Sequence, residues 1–570
     1  MTATPWGFRD ILPEEAQARE EIALTVKGCF REHHYLPVET PLLEDKGSLE
    51  EGGRIADTPF KLFDDDGRLL VVRPDNTLPI VRLVSTRMRA ADLPLRLRYE
   101  APVVREYQRN AGGSRQFTQL GFELIGAGDT AGDVEIVSLV AEAVRKLALP
   151  DARIIAGSVR PFKELLAACE DRELAAEALR CVHANDFVGL DARVAASAES
   201  DAVKVAISEL PRLHGGAEVL DRVDVLWRGG HVAPLTRELR ALVEGLAPED
   251  AQVLSFDFSI MNSFDYYTGL VFKAYAGGLP DPVGSGGRYD SIFTGAFGDG
   301  IEVPAAGFAF SLERLEAAHT SAEDAASDGD HAAGRGAEGP LRIAVPKGSL
   351  KADTLDVLEA AGLDVSELRD PGRHLIVRGR DTRAGEGAVG DIEFVIVRPS
   401  DAPAFVGCGG ADCGICGWDS LIEADLNLLQ LVDLGYGLCT FIEAEPAWRA
   451  GQAERNYARR GSLRVATKYP RIASAWYAER GVNADIVSLH GNIELGPIVG
   501  MTDRIVDITA TGATLRDNDL VITGRIMDCT ARFFVNPGAA RLDPRVRNLA
   551  DRLAAAVKDK HFEPVAGSAQ

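Results

Sequence analysis

Residues 503–515 read DRIVDITATGATL, and this stretch decides the fold of the second half of the chain. The apolar residues Ile505, Val506 and Ile508 predict a strand, and Gly512 predicts a tight turn that leads into a helix. Glycine allows the backbone to take positive φ, so the chain can approach a ligand closely. Short apolar strands that alternate with helices are typical of an α/β domain.

The same turn predicts a site for the 5′-phosphate of a sugar. Successive backbone N–H groups and Thr hydroxyls form a concavity that suits an anion, and an upstream acid can accept hydrogen bonds from ribose hydroxyls. The expected ligand is a phosphoribosyl donor, and the alternative is an ordinary strand–turn–helix of small residues. The residues predicted to bind the donor are Asp507, Thr509, Ala510, Thr511, Gly512, Ala513 and Thr514.

Bulk properties limit the function classes. The chain has 570 residues, a net charge of −24 and no apolar run long enough to span a bilayer. Such a charge repels nucleic acid at long range, so we expect no nucleic-acid partner and no membrane association. The N-terminus lacks the pattern of a signal peptide, and we expect a cytoplasmic protein with reduced cysteines. Cys408, Cys413 and Cys416 have the spacing of an iron–sulfur site; the alternative is that Cys413 and Cys416 lie on a buried strand.

A boundary is predicted in the middle of the chain. Residues 321–340 are small, acidic and Gly/Ala-rich, which is typical of a flexible linker. Residues 1–320 would then form a mixed α/β region with antiparallel strands, and residues 341–570 an α/β catalytic domain. In the second region, cations directly follow or precede apolar strands, where they can bind phosphates and stabilise a pyrophosphate leaving group. The candidate catalytic residues are Lys347, Arg373 and Arg398.

The second half resembles the short-form catalytic subunit of ATP phosphoribosyltransferase. The matching stretches are AVPKGSL, FVIVRPSDAPAFV, ADCGICGWDSLIE, LVDLGYG, VATKYP and IELGPIVGMTDRIVDITATGATL. The resemblance implies a two-lobed α/β fold of the periplasmic-binding-protein type, a Mg²⁺ cofactor, and attack of N1 of ATP on phosphoribosyl pyrophosphate, the first step of histidine biosynthesis. Ser349 and Ala510 depart from the family pattern, the first where Arg is common and the second where Glu or Ser is common.

The first half resembles the core of a class II aminoacyl-tRNA synthetase, and most closely histidyl-tRNA synthetase. The resemblance rests on GFRDILPEEA, VRPDNTLPI, the strand pair around Arg105, FDYYTG, GSGGRYDS and GFAFSLERL. Gln119 and Glu123, four residues apart, are predicted to face the same side of one strand. The resemblance implies a histidine pocket made of Asp75, Thr77, Arg105, Gln119, Glu123, Asp265, Tyr266 and Tyr267.

Synthetase activity is not expected, because Asn262 stands where the synthetase has an Arg, and because the acidic linker replaces an anticodon-binding domain. The half instead resembles the synthetase-like regulatory subunit that accompanies the short-form transferase. We therefore predict a fusion of a histidine-sensing regulatory half with a transferase, inhibited by histidine and assembled as a homo-oligomer. Two alternatives stay open, a working synthetase fused to a transferase and a purely regulatory protein with an inactive transferase half.

Overall fold

The structure is a computed structural model that describes residues 4–47, 60–89, 91–105, 114–128, 130–227, 234–260, 267–293, 303–327, 339–385, 387–509 and 512–558. The chain divides into two compact units. The first comprises Met1–Gly339 with Pro537–Pro544, and the second Pro340–Asn536 with Arg545–Gln570. Inside the first unit, Arg541 forms an ion pair with Asp257 (Nε to Oδ2, 3.2 Å) and donates a hydrogen bond to Ser259. A single boundary drawn along the sequence would instead group Pro537–Pro544 with the second unit.

The strands are numbered in chain order, and the first twelve belong to the first unit. They are β1 (Leu36–Pro37), β2 (Leu43–Asp45), β3 (Lys61–Phe63), β4 (Leu69–Val72), β5 (Leu95–Val104), β6 (Gln116–Ile125), β7 (Arg153–Ser158), β8 (His214–Gly215), β9 (Leu254–Asp257), β10 (Leu270–Tyr275), β11 (Gly284–Arg288), β12 (Ala305–Ser311), β13 (Leu341–Pro346), β14 (Ile376–Arg380), β15 (Asp391–Val397), β16 (Cys413–Gly417), β17 (Leu429–Asp433), β18 (Cys439–Pro446), β19 (Leu463–Thr467), β20 (Ala484–Ser488), β21 (Arg504–Thr509), β22 (Leu520–Cys529) and β23 (Ala531–Val535).

Helices connect most of these strands. The α-helices are Pro13–Glu32, Thr77–Arg87, Thr130–Lys146, Arg160–Ala168, Arg172–His183, Phe187–Ala196, Asp201–Glu209, Val219–Leu226, Arg237–Gly245, Pro248–Ala251, Leu312–Ser327, Lys351–Ala360, Ser366–Arg369, Ala402–Gly407, Trp418–Ala424, Gln452–Arg460, Pro470–Glu479, Leu495–Ile498, Ala513–Asp517, Pro537–Leu542 and Pro544–Lys558, and short 3₁₀ helices are Leu210–Arg212, Asp290–Phe293 and Ala447–Arg449.

The first unit is built on a nine-stranded sheet in the order β1-β5-β6-β12-β11-β10-β7-β9-β8, with a separate three-stranded sheet β2-β4-β3. The central strands from β5 to β10 are antiparallel, as the sequence predicts for this half. The helix Pro13–Glu32 buries one apolar face that includes Ile22, Val26 and Phe30, which are four residues apart, the spacing of one helix face.

The second unit contains two mixed sheets. The six-stranded sheet has the order β14-β15-β13-β16-β23-β17, and the five-stranded sheet the order β20-β19-β21-β18-β22. Strands β15, β13 and β16 are parallel, and so are β20, β19 and β21. The carboxyl ends of parallel neighbours meet at one edge, which is where an α/β sheet positions ligand-binding loops.

The helix Leu312–Ser327 extends into the segment predicted to be a linker, so the first seven residues of that segment are helical and not an extended tether. Residues 328–338 lie outside the described residues, and the proposed boundaries at 320 and 341 stay a prediction. Within the described part of the chain, no helix combines the length and the hydrophobicity that crossing a membrane requires.

Candidate active site and regulatory pocket

Two predicted catalytic cations lie side by side at one edge of the six-stranded sheet. Lys347 directly follows β13 and Arg398 directly follows β15; these strands are parallel, with Pro346 paired to Val397. The backbone N–H of Lys347 donates to the carbonyl of Val397 at 2.9 Å, which fixes the two strand ends together. Both cationic side chains are exposed. The edge therefore presents two positive charges to solvent, as a phosphate site requires.

Arg373 reaches the same edge from the antiparallel strand. It precedes β14, whose first residue Ile376 pairs with Val395 near the end of β15, and the N–H of Ile396 donates to the carbonyl of Leu375 at 2.8 Å. Arg373 is exposed. The structure thus brings all three predicted cations to one end of the sheet, although they are up to 51 residues apart, as the residue numbers of Lys347 and Arg398 show.

The predicted phosphate loop follows β21 in the five-stranded sheet. The Thr509 hydroxyl accepts a hydrogen bond from the N–H of Gly512 at 2.9 Å, and Gly512 has φ of 67°. A left-handed residue at this point turns the chain into the helix Ala513–Asp517, as the sequence predicts. Thr514 is exposed in the first turn. Ala510 and Thr511 lie outside the described residues.

Asp507 carries the carboxylate of this loop. Its Oδ1 accepts a hydrogen bond from the N–H of Ile508 at 2.8 Å. Burial raises the pKa of Asp507 to about 6, with a further increase from Glu494, while Ile508 and the Lys468 ammonium oppose the shift. Above this pH the group is ionised, and both carboxylate oxygens can accept hydrogen bonds from ribose hydroxyls.

Lys468 and Asp419 were missed by the sequence reasoning, although both lie in stretches that match the transferase family. Lys468 directly follows β19, next to β21, and Asp419 follows β16, next to β13. Burial raises the pKa of the Asp419 carboxyl, and Lys468 lowers it. Because Lys468 also lowers the pKa of Asp507, its ammonium lies near carboxylates from both sheets of this unit. The signal was available, since Lys468 has the same strand-end position as Lys347.

The cysteine spacing does not mark a metal centre. Cys413 and Cys416 are buried on β16, where Cys413 Sγ donates weakly to the carbonyl of Arg342 and Cys416 packs in an apolar core. Among the residues that the structure describes, no three His, Cys, Asp or Glu side chains form a metal-binding group. The buried-strand alternative is confirmed for Cys413 and Cys416, which lie three positions apart on β16 and so point to opposite faces of the sheet.

The predicted regulatory pocket centres on the carboxyl group of Glu123 on β6. Glu123 Oε1 accepts hydrogen bonds from Thr77 at 3.0 Å and from Tyr99 at 3.4 Å, and Oε2 accepts one from Tyr289. Gln119 Oε1 accepts a hydrogen bond from Asn76 at 2.8 Å. Glu123 and Gln119 therefore face the start of one helix, as their spacing predicts.

Glu123 is 1% exposed, and its environment changes its protonation. Burial raises the pKa of Glu123 to about 8, and Asp75 adds to the increase, whereas the hydrogen bonds from Tyr289, Thr77 and Tyr99 oppose it. At neutral pH the carboxyl group is mostly protonated, and a cation placed beside it would favour the ionised form. The Glu123 carboxyl is therefore a candidate partner for a cationic group, and it is not among the residues that line the cavity beside Gln119 and Arg105.

Among the other predicted pocket residues, Asp75 and Arg105 contact the chain around the start of the helix Thr77–Arg87. Asp75 accepts a hydrogen bond from the N–H of Leu78 at 3.3 Å, and Tyr267 is buried in the same apolar cluster as Tyr99 and Tyr289. Arg105 Nε donates to the carbonyl of Pro74 at 2.8 Å. Asp265 and Tyr266 lie outside the described residues. Asn76, Tyr99 and Tyr289 were missed as individual residues, because their contacts depend on strand order rather than on local spacing.

A cavity of about 310 Å³ adjoins Gln119 and Arg105. Its other walls include Phe117, Phe310 and Arg314, so apolar and cationic groups both face the space. Arg314 donates to the carbonyl of Pro282 at 2.8 Å and pairs with Asp281 at 3.2 Å. The volume is at the lower end of the range for small-molecule sites.

Comparisons with known proteins assign both halves. The family described as "Histidyl-tRNA synthetase" matches residues 7–315, and the family described as "ATP phosphoribosyltransferase" matches residues 398–555. A crystal structure of an "ATP phosphoribosyltransferase regulatory subunit/histidyl-tRNA synthetase" from Bacillus halodurans covers 63% of this chain and 90% of its own, with a TM-score of 0.52 and 27% identity.

Relatives that are named for two separate subunits match the two halves. An ATP phosphoribosyltransferase of Rubrobacter xylanophilus is 48% identical over 202 residues, which are 35% of this chain and 89% of that protein. An ATP phosphoribosyltransferase regulatory subunit of Moorella thermoacetica is 37% identical over 318 residues, which are 55% of this chain and 80% of that protein. The chain therefore belongs to the synthetase-like regulatory-subunit family in its N-terminal region and to the ATP phosphoribosyltransferase enzymes in its C-terminal region.

Proposed function

We propose that the C-terminal unit transfers the phosphoribosyl group of phosphoribosyl pyrophosphate to N1 of ATP and releases pyrophosphate, as the first step of histidine biosynthesis. The supporting observation is the arrangement of Lys347, Arg373 and Arg398 at one sheet edge, together with the glycine turn after β21. The two sheets are consistent with the predicted periplasmic-binding-protein type of lobe, which stays part of the proposal.

The proposed mechanism depends on positioning and charge rather than on proton transfer. Displacement at the anomeric carbon builds negative charge on the departing pyrophosphate, and preplaced cations stabilise it. The turn at Gly512 holds the 5′-phosphate, and Asp507 accepts ribose hydroxyls, so that the anomeric carbon is held in line with the nucleophile. Adenine N1 is unprotonated at neutral pH, so the reaction needs no strong general base.

Mg²⁺ is part of the proposal. In phosphate-transfer sites this ion is held mainly by substrate phosphates with one or two carboxylates, rather than by an all-protein cage. Asp507 and Asp419 are the candidate carboxylates, since Lys468 lowers the pKa of both and Asp507 directly precedes the proposed donor loop. Bound there, the ion would supply further positive charge to the leaving group.

We propose in addition that the N-terminal unit binds histidine and relays its inhibition. The buried carboxyl of Glu123 suits an ammonium group, and the hydroxyls of Thr77, Tyr99 and Tyr289 suit the remaining polar atoms of an amino acid. Inhibition requires that histidine bind the active and inactive conformations with different affinities. A homo-oligomer and a cytoplasmic location belong to the same proposal.

The decisive experiment measures pyrophosphate release from ATP and phosphoribosyl pyrophosphate by the full chain with Mg²⁺, with and without histidine. Release that histidine suppresses supports both halves of the proposal. No release would favour the purely regulatory alternative, and release that ignores histidine would remove the sensor role. Histidine-dependent exchange of pyrophosphate into ATP, without the phosphoribosyl donor, would instead support the synthetase alternative.

A further inference from the structure

The two sheets of the C-terminal unit are joined at two crossings that lie side by side. Among the described strands, the chain passes from one sheet to the other through residues 434–438, between β17 and β18, and back through Thr530, between β22 and β23. The crossings hydrogen-bond to each other: Leu434 N donates to the carbonyl of Ala531, and Ala531 N to that of Tyr436, each at 2.9 Å. Element-terminal residues of this kind absorb the backbone changes when lobes move.

Each crossing is next to a cysteine in the sequence. Cys439 is the first residue of β18 and Cys529 the last residue of β22, and the antiparallel register sets them directly opposite each other. Directly opposite residues have Cβ atoms about 4.5–5.5 Å apart, and a disulfide needs about 3.5–4.5 Å. A small approach of the two strand ends is therefore enough to join the sulfur atoms.

The two thiols differ in their access to solvent. All eight cysteines are free, Cys439 is partly exposed and Cys529 is buried. The partly exposed Cys439 is therefore the member that meets an oxidant, and Cys529, directly opposite it on β22, is placed to resolve the mixed disulfide.

We propose that Cys439 and Cys529 form a reversible disulfide that fastens the two crossings and slows the transferase. The oxidant is a low-molecular-weight disulfide, RSSR. The Cys439 thiolate attacks one sulfur of RSSR and releases one thiolate; the Cys529 thiolate then attacks the Cys439 sulfur and releases the second. The two cysteines lose two protons and two electrons, and RSSR is reduced to two RSH.

The bond would act on the proposed donor site through one residue. Thr440, next to Cys439, pairs with Thr509 at the end of β21 and donates a hydrogen bond to Asp528 on β22 at 2.7 Å. Thr509 in turn accepts the hydrogen bond from Gly512. Drawing β18 and β22 together moves the strand to which the phosphate loop is attached. This effect on turnover rests on the proposed function, whereas formation of the bond does not.

The test treats the full reduced chain with oxidised glutathione, then blocks the remaining thiols with iodoacetamide and maps the peptides by mass spectrometry. We expect a Cys439–Cys529 cross-linked peptide and an approximately tenfold loss of pyrophosphate release, since small misplacement of a site costs rate heavily. Dithiothreitol should restore both. Cys439→Ser, and separately Cys529→Ala, should keep the basal rate and resist oxidation, while Cys408→Ser, at an exposed cysteine, should respond like the unmodified chain.

Three results would overturn the proposal. They are a stable glutathione adduct on Cys439 without a cross-link, a cross-link that leaves the rate unchanged, and oxidative inhibition that persists in both Cys439→Ser and Cys529→Ala. A chain that has no basal turnover but forms the cross-link would contradict the transferase proposal and leave the thiol chemistry supported. The two failures are therefore distinguishable.

Discussion

The phenolic hydroxyl of Tyr289 donates a hydrogen bond to the buried carboxyl group of Glu123 across an intervening strand. Glu123 lies on β6 and Tyr289 directly follows β11, and β12 runs between these strands. The hydrogen bond is sterically possible because Gly307 on β12, which pairs with Glu123, has no side chain. A Cβ at Gly307 would lie 1.8 Å from Glu123 Oε2. The pocket therefore depends on three strands, not on one motif.

Replacing Glu123 should weaken the response to histidine. We expect Glu123→Gln to raise the histidine concentration for half-inhibition by about tenfold or more, because a charge-assisted hydrogen bond to the ammonium is lost. Basal pyrophosphate release should be unchanged. Titration of the rate against histidine measures this. Glu100→Gln, at an exposed carboxylate on the neighbouring strand β5, is the control and should leave the response intact. Equal sensitivity in the two variants would locate the effector elsewhere.

Histidine binding should tighten as the pH rises from 7 to 8. The raised pKa of Glu123, about 8, means that the empty pocket holds a proton at pH 7. The proton must leave before the carboxylate pairs with an ammonium, and the ionised fraction grows about fivefold over this interval. Isothermal titration calorimetry in buffers of different ionisation enthalpy measures both the affinity and the released proton. Glu123→Gln should show a flat profile; a wild-type chain that binds without proton release would refute the assignment.

Gly512→Asp should abolish turnover while histidine still binds. Gly512 has φ of 67°, so an Asp there strains the turn and brings a negative charge beside the phosphate. Gly481→Asp is a matched control. Gly481 has φ of 65° just after the C-terminus of the helix Pro470–Glu479, and a Cβ built on Gly481 would have no atom within 4 Å. Initial-rate measurements compare the two. Equal loss in both variants would show that backbone strain alone is responsible.

Removing a strand-end cation should weaken donor binding. We expect Lys347→Ala and Lys468→Ala each to raise the KM for phosphoribosyl pyrophosphate by about tenfold, the loss of one charged contact to a phosphate. Lys351→Ala is the control, since Lys351 donates instead to the carbonyl of Arg369 at 3.1 Å. Initial rates over a range of donor concentrations test this. An unchanged KM in Lys468→Ala would remove that residue from the proposed site.

The ion pair between Asp381 and Arg552 should make the C-terminal helix sensitive to acid. Burial alone would raise the pKa of Asp381, but hydrogen bonds from Arg552 and from the N–H groups of Val389 and Arg383 lower it to about 2. Because the folded pKa is depressed, the stabilisation is complete above about pH 4 and is lost as the pH falls towards 2. Its size at pH 7 is about 2 kcal/mol.

Asp381→Asn should therefore increase amide hydrogen exchange in the helix Pro544–Lys558 at pH 7, and make its exchange less dependent on pH below 4 than in the unmodified chain after correction for intrinsic rates. Asp391→Asn, at an exposed Asp of the adjacent strand β15, serves as the control. Protection of the helix that is identical in all three proteins would show that the ion pair contributes nothing to it.

Local patterns predicted several of the strands. The apolar runs at β13, β15, β19 and β21 and the helix that starts at Pro13 follow directly from hydrophobic spacing. The positions of Lys347 and Arg398 were also predictable, because strand-end cations need only the strands to be identified. Their adjacency additionally required parallel pairing, which the alternation of strands and helices favours.

Other features depend on pairing between distant segments, which spacing does not encode. Strands β22 and β23 belong to different sheets although one residue separates them, so their sequence alone gives no sign of the crossing at Thr530. Asn76, Tyr99 and Tyr289 contact the pocket only because three strands lie in a particular order. The acidic segment after 320 begins as a helix, since its Ala-rich composition favours helix as well as coil.

The absence of a side chain at Gly307 limits which substitutions can be engineered at this position. A Cβ at position 307 would overlap the carboxyl group of Glu123, so a bulkier residue at 307 is tolerable only if the residue at 123 becomes shorter. To design an enzyme that is insensitive to histidine, a larger residue at position 307 should therefore be introduced together with a shorter residue at position 123.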